Sequence, residues 1–162
     1  MKALNRPLKT IFFILCTTLS FHTIYGQKEN KATLVKNLIE SKHYAFKAQT
    51  MVPARGNIRN LTSEYDLKVL GDSVMVYLPY FGRAYAPVDP EQGPIQFNST
   101  NLTYSVKKGR KGGWDVTIIP KDAKNVRQMF LNVSVNGSAS LNVTSNNRDP
   151  INFNGQIEPL NR

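Results

Sequence analysis

Cysteine occurs once and histidine twice in the 162 residues. Disulfide frameworks, thiolate-rich zinc centres and cysteine–histidine nucleophile pairs therefore have almost no material to draw on. Acids are also scarce, 11 Asp and Glu against 21 Lys and Arg for a net charge of +10. There is no Gly-x-Ser-x-Gly elbow for a serine hydrolase, no strand-to-helix phosphate loop and no apolar run of the roughly 20 residues that a membrane helix requires. No motif points to a cofactor or a metal. Disorder is excluded as well, because 41% hydrophobic, 10% aromatic and 20% charged residues is a globular composition.

The first 26 residues have a distinct character. Lys2, Arg6 and Lys9 form a basic leader without an acid, an apolar run extends from Ile11 to Phe21, and Ile24-Tyr25-Gly26 precedes Gln27. Basic start, short apolar centre and small terminal residue predict a secretory signal peptide cleaved near Gly26/Gln27. Cys16 follows Leu15 inside the apolar centre and is not read as a lipid-attachment residue. The expected organisation is therefore a leader over 1–26 and a single domain over 27–162, exported to the periplasm or beyond the cell, with no transmembrane span in the mature chain. Removing the leader leaves 136 residues, no cysteine, one histidine and a charge of +7. That length buries roughly two-thirds of its unfolded surface and supports a core without disulfides. A basic exported chain is expected to meet anionic envelope material or a partner there, and not nucleic acid.

Ala32, Val35, Leu38 and Ile39 recur at helical spacing between Glu29 and Ser41, so an N-terminal helix is expected there. Everything later alternates with period two. Tyr44-Phe46-Ala48, Tyr65-Leu67-Val69, Val74-Val76-Leu78, Leu102-Tyr104-Val106, Trp114-Val116-Ile118, Leu131-Val133-Val135, Ala139-Leu141-Val143 and Ile151-Phe153 each read as a half-buried strand. The fold class is mainly β: an antiparallel meander of about eight strands, as a sandwich or partly open barrel, with one N-terminal helix.

Residues opposite each other in a ladder share a face, which tests the turns. A two-residue turn at Gly71-Asp72 sets Val69 against Val74 and Leu67 against Val76, all apolar. The same turn at Asn136-Gly137 sets Val133 against Ser140, so a loop one residue longer is expected, pairing Val135 with Ala139, Val133 with Leu141 and Leu131 with Val143. Both faces of Ser73–Phe81 carry large apolar side chains, which predicts a central strand covered on both sides, the outer cover being the helix. Trp114, at the head of an inward-facing alternation, is expected to be largely buried.

Tyr65-x-Leu67-x-Val69-x-Gly71-Asp72, Leu78-Pro79-Tyr80-Phe81-Gly82-Arg83-Ala84-Tyr85, and Asn136-Gly137-x-Ala139-x-Leu141-x-Val143-x-Ser145-x-Asn147-Arg148 with Ile151-x-Phe153-x-Gly155-x-Ile157 resemble the domain-of-unknown-function family 4251. The likeness spans about Leu38 to Ile157. It implies a small exported protein of Bacteroidetes-type bacteria and implies no reaction.

The strongest candidate site is the string after the strand ending at Leu78. Tyr80, Phe81, Arg83 and Tyr85 combine aromatics with an arginine where a strand gives way to a proline-rich loop, a composition that binding hot spots favour. Against this, Tyr80 extends an inward face and Phe81 fits under the helix, so both also read as packing. Lys107, Lys108, Arg110 and Lys111 around Gly109, Gly112 and Gly113 form a second, weaker candidate, an anion-facing hairpin tip. His43 stands alone and is read as structural. Asp66, Asp72, Asp89, Glu91, Asp115 and Asp122 fall at turns or on wet faces, where solvated acids are the default, so no catalytic residue is assigned. The expected function is a non-enzymatic envelope protein that binds a ligand or partner. A purely structural or assembly role is the alternative, and a hydrolase with two convergent acids ranks behind both.

Overall fold

A computed structural model describes residues 31–82 and 93–160; residues 1–30, among them the expected leader, 83–92 and 161–162 lie outside the described residues. The helix α1 occupies 31–41 and is followed by β1 (His43–Pro53), β2 (Arg59–Asn60), β3 (Asp66–Leu70), β4 (Ser73–Leu78), β5 (Ile95–Ser99), β6 (Leu102–Lys108), β7 (Trp114–Pro120), β8 (Val126–Val133), β9 (Ser138–Ser145) and β10 (Ile151–Pro159). The sheet order is β5-β4-β3-β1-β10-β9-β8-β7-β6, every pairing is antiparallel, and β2 is a two-residue addition to β1.

Eight antiparallel steps separate β5 from β6, so these two edge strands run in the same direction, and only Thr100 and Asn101 join them. They act as one bent strand whose first half pairs with β4 and whose second half pairs with β7. This corner nearly closes the sheet into a barrel of eight long strands. It is tied by Thr100 N–H, which donates to Asp122 Oδ2 at 3.1 Å, and by Lys121 N–H, which donates to the Asn101 carbonyl at 2.8 Å. Register shifts at Ala48/Thr50 in β1 and Val126/Gln128 in β8 add the curl that closure requires. At the first of them a Cβ on Gly155 would overlap the Lys47 carbonyl oxygen, so this strand position admits only glycine.

Alternation decides what fills the barrel. Phe46, Leu67, Leu78, Ile118, Met129, Leu131, Leu141 and Phe153 point inward and are fully buried, each contributing about 1.5–3 kcal/mol by the apolar area withdrawn from water. Val35 and Ile39 on α1 join the same core. The helix leads straight into β1 through Lys42, which takes a positive φ of 52°. Lys42 donates to Asp72 Oδ1 at 2.9 Å, and its carbonyl accepts from Gly71 N–H at 2.8 Å. Val35 also approaches Gly137 in the β8–β9 turn. The helix thus stops the barrel end that carries the β3–β4 and β8–β9 turns.

Three expectations are corrected. The helix does not cover β4, whose outer residues Met75 and Tyr77 are 43% and 42% exposed; the short link at Lys42 holds α1 over the barrel end instead. The β8–β9 loop has the expected odd length, but the pairs are Val133 with Ala139, Leu131 with Leu141 and Met129 with Val143. The loop is Val135-Asn136-Gly137, because its last position needs a positive φ and Gly137 supplies 85°; the expected register would have put Ser138 there. Trp114 is half-buried on the rim of the core rather than enclosed by it, since its strand begins at that residue.

Candidate functional site

The barrel end opposite α1 gathers the chain around Tyr80 and Phe81. Pro79 is buried just past β4, and Tyr80 follows half-buried against the core. The Tyr80 hydroxyl donates to the Asp149 carbonyl at 3.3 Å, and the Arg148 guanidinium lies 4.8 Å from its ring centroid. Arg148 in turn donates to the Gly93 carbonyl at 3.1 Å. A Cβ at Gly82 would press on the Tyr80 hydroxyl, so glycine lets the chain turn back close over the ring. Phe81 is 51% exposed, and the Arg59 guanidinium sits 4.6 Å from its ring centroid. Phe81 therefore does not pack beneath the helix, which lies at the other end of the barrel.

Clefts flank this aromatic ridge. One of about 440 Å³ lies between the segment linking β1 to β2 and Tyr80–Gly82, and is lined by Arg55, Asn57, Arg59, Phe81 and Arg148 among others. A smaller one of about 200 Å³ lies on the side of Asp149 and Ile151. A third, of about 560 Å³, runs along β5 to the β7–β8 loop and also reaches Arg148. Gly56, at φ 105°, turns the segment after β1 so that Arg55 and Arg59 approach the ridge. The sequence reading had no hold on Arg55 and Arg59, which lie in a stretch without periodicity. Arg148 was visible only as part of the Asn147-Arg148 string. Arg83 and Tyr85 lie outside the described residues.

The second candidate lies at the opposite end. Lys107 and Lys108 end β6, and a 3-10 turn over Arg110–Gly112 leads to β7, with Lys111 at φ 52°. Gly109 and Gly113 pair their main chains at 2.8 Å, and all four basic side chains are exposed. Lys107 stands opposite Asp115 in the ladder. The arrangement is a solvated hairpin tip that lines none of the three clefts described above.

Asp66, Asp72, Asp115 and Asp122 have structural partners. Asp66 accepts from Lys47 at 3.0 Å and stands 3.5 Å from Lys68, Asp72 holds Lys42, and Asp115 accepts from the Asn132 amide. The hydrogen bond to Asp66 leads the influences that raise the Lys47 ammonium above its ordinary value. Asp122 ties the barrel corner, and Asp89 and Glu91 lie outside the described residues. His43 is exposed at the start of β1. Among the described residues no three His, Cys, Asp or Glu side chains are grouped to hold a metal ion, and no helix is long and apolar enough to cross a membrane.

Fold and site together define a nearly closed antiparallel barrel, filled with side chains, with an arginine-framed aromatic ridge at its free end. The family model for the domain of unknown function DUF4251 matches residues 26–157, and the chain belongs to that family. The crystal structure of a DUF4251 family protein from Bacteroides eggerthii DSM 20697 is similar to it with a TM-score of 0.59 at 14% identity, covering 82% of this chain and 87% of that one. No curated protein matches the sequence.

Proposed function

We propose that the protein is an exported, non-enzymatic domain of the cell envelope that binds a ligand or partner at the free end of its barrel. The observation that carries this reading is Phe81. It is a large aromatic left half in water beside a 440 Å³ cleft, with an arginine guanidinium over its ring, in a protein whose inward-facing strand positions are otherwise buried in the core. Exposed aromatics flanked by arginine are costly to keep in water and are what interfaces use as anchors. The structural work done by Asp66, Asp72, Asp115 and Asp122 supports a non-catalytic role, and the basic and apolar character of residues 1–26 motivates the exported setting.

The test uses protein purified without denaturation from the producing cells. N-terminal sequencing should find a mature chain beginning near Gln27. Native mass spectrometry should find an additional bound mass on the wild type that is absent from Phe81→Ala, with the melting temperature preserved. An intact Met1 in the cytoplasmic fraction refutes export, and identical mass spectra refute binding at this ridge.

A further inference from the structure

We propose that the 440 Å³ cleft beside Phe81 takes an oxyanion, a carboxylate or phosphate, attached to a planar apolar group. This rests on the binding reading above and assigns its ligand class. Three guanidinium groups, those of Arg55, Arg59 and Arg148, line the cleft, and among the described residues no carboxylate does.

Arg148 is already engaged by the Gly93 carbonyl and the Tyr80 ring, which leaves the charges of Arg55 and Arg59. Lys36, Lys42, Lys47 and Lys68 each face an acid, while among the described residues Arg55 and Arg59 stand in no ion pair and both side chains are exposed. The choice of side chain matters too. A guanidinium presents a rigid planar fork that matches the two oxygens of a carboxylate or phosphate, which a lysine ammonium does not. Arg59 is also positioned at the cleft, its guanidinium 4.6 Å over the centroid of the Phe81 ring before any ligand arrives. The apolar half of the ligand finds the ring of Phe81 and the face of Tyr80, and Tyr80 is anchored through Asp149 and Arg148. The volume suits a small molecule or the end of a chain.

The experiment is an amide NMR titration of the mature protein with phenyl phosphate, benzoate, inorganic phosphate and benzylamine at low and high salt. Phenyl phosphate and benzoate should shift the amides of Arg55–Arg59 and Tyr80–Gly82, and their relative affinities tell a phosphate ligand from a carboxylate one. Inorganic phosphate should bind more weakly for lack of the apolar half, and benzylamine should leave these amides unmoved. R55Q and R59Q should each weaken binding about tenfold, the factor expected for one charge-assisted hydrogen bond, and R59K should not restore it. High salt should weaken it further. The proposal is overturned if benzylamine binds as well as benzoate, if both Gln variants bind as the wild type does, or if the shifts fall on Lys107–Lys111. Failure of this titration while the wild-type-specific bound mass persists refutes the anionic class and leaves the binding reading standing.

Discussion

Two tyrosines join the helix to the barrel through their hydroxyl groups. The Tyr104 hydroxyl donates to the Ile39 carbonyl at 3.2 Å, near the end of α1, and lies 3.2 Å from the hydroxyl of the fully buried Tyr44. With the Tyr104 proton committed to Ile39, Tyr44 is the donor of the second bond. Burial first, and then the neighbouring phenol, holds Tyr44 well above the ordinary tyrosine value. The unfolded chain ionises near pH 10, so the stabilisation from keeping Tyr44 protonated is fully present below that pH and is lost as pH rises through the higher folded value. Tyr44→Phe should cost about 1 kcal/mol at pH 7 through the lost hydrogen bond, and should also make stability fall less steeply above pH 10. Urea unfolding midpoints at pH 7 and pH 11 check both. Unchanged midpoints would mean that the hydroxyl pair does not hold the helix.

At the scale of elements, one carboxylate helps to tie the barrel corner between β5 and β6. The Ser99 hydroxyl, buried and also 3.3 Å from the Asn101 carbonyl, is the first cause that holds the Asp122 carboxyl below its usual range, with the Thr100 amide adding to it and burial opposing. Because the folded value is lowered, this contribution is present above the unfolded carboxyl value of about 4 and is lost as pH falls through the lower folded one. Asp122→Asn should speed exchange of the Thr100 amide about tenfold at neutral pH, the factor for one lost charge-assisted hydrogen bond. It should also flatten the loss of melting temperature between pH 5 and pH 3. Wild-type exchange in the variant would show that the corner is held by strand pairing alone. The strands on either side were legible in the sequence because each alternates, and the Gly71-Asp72 turn was legible down to its register, since Val69 does pair with Val74 and Leu67 with Val76. The placement of α1 was not legible: an apolar stripe says that a helix is covered, and only the positive φ of Lys42 says where. The double-sided apolar character of β4 misled for the same reason. Met75 and Tyr77 face outward, with Tyr77 packing its ring 5.4 Å from that of Tyr65, so part of that face is covered by a side chain just before the neighbouring strand and not by another layer.

Over the whole molecule, the site is the part that sequence reasoning half saw. Tyr80 and Phe81 stood out by composition, while Arg55, Arg59 and Arg148 reach the same ridge from the segment after β1 and from the β9–β10 loop, which strand closure alone brings together. The two basic regions consequently lie at opposite ends. The lysine-rich hairpin tip is on the side of α1, and the arginines are at the free end beside exposed aromatic surface. The central claim is that this free end, and not the barrel wall, meets the ligand or partner. The most direct measurement replaces Phe81 with a benzophenone-bearing phenylalanine in the producing cells and irradiates them, with the same replacement at Phe130, 36% exposed on the outer face of β8, as the comparison. The account predicts a defined covalent adduct from position 81 and none from position 130; equal yields at the two positions, or no adduct at 81, would contradict it.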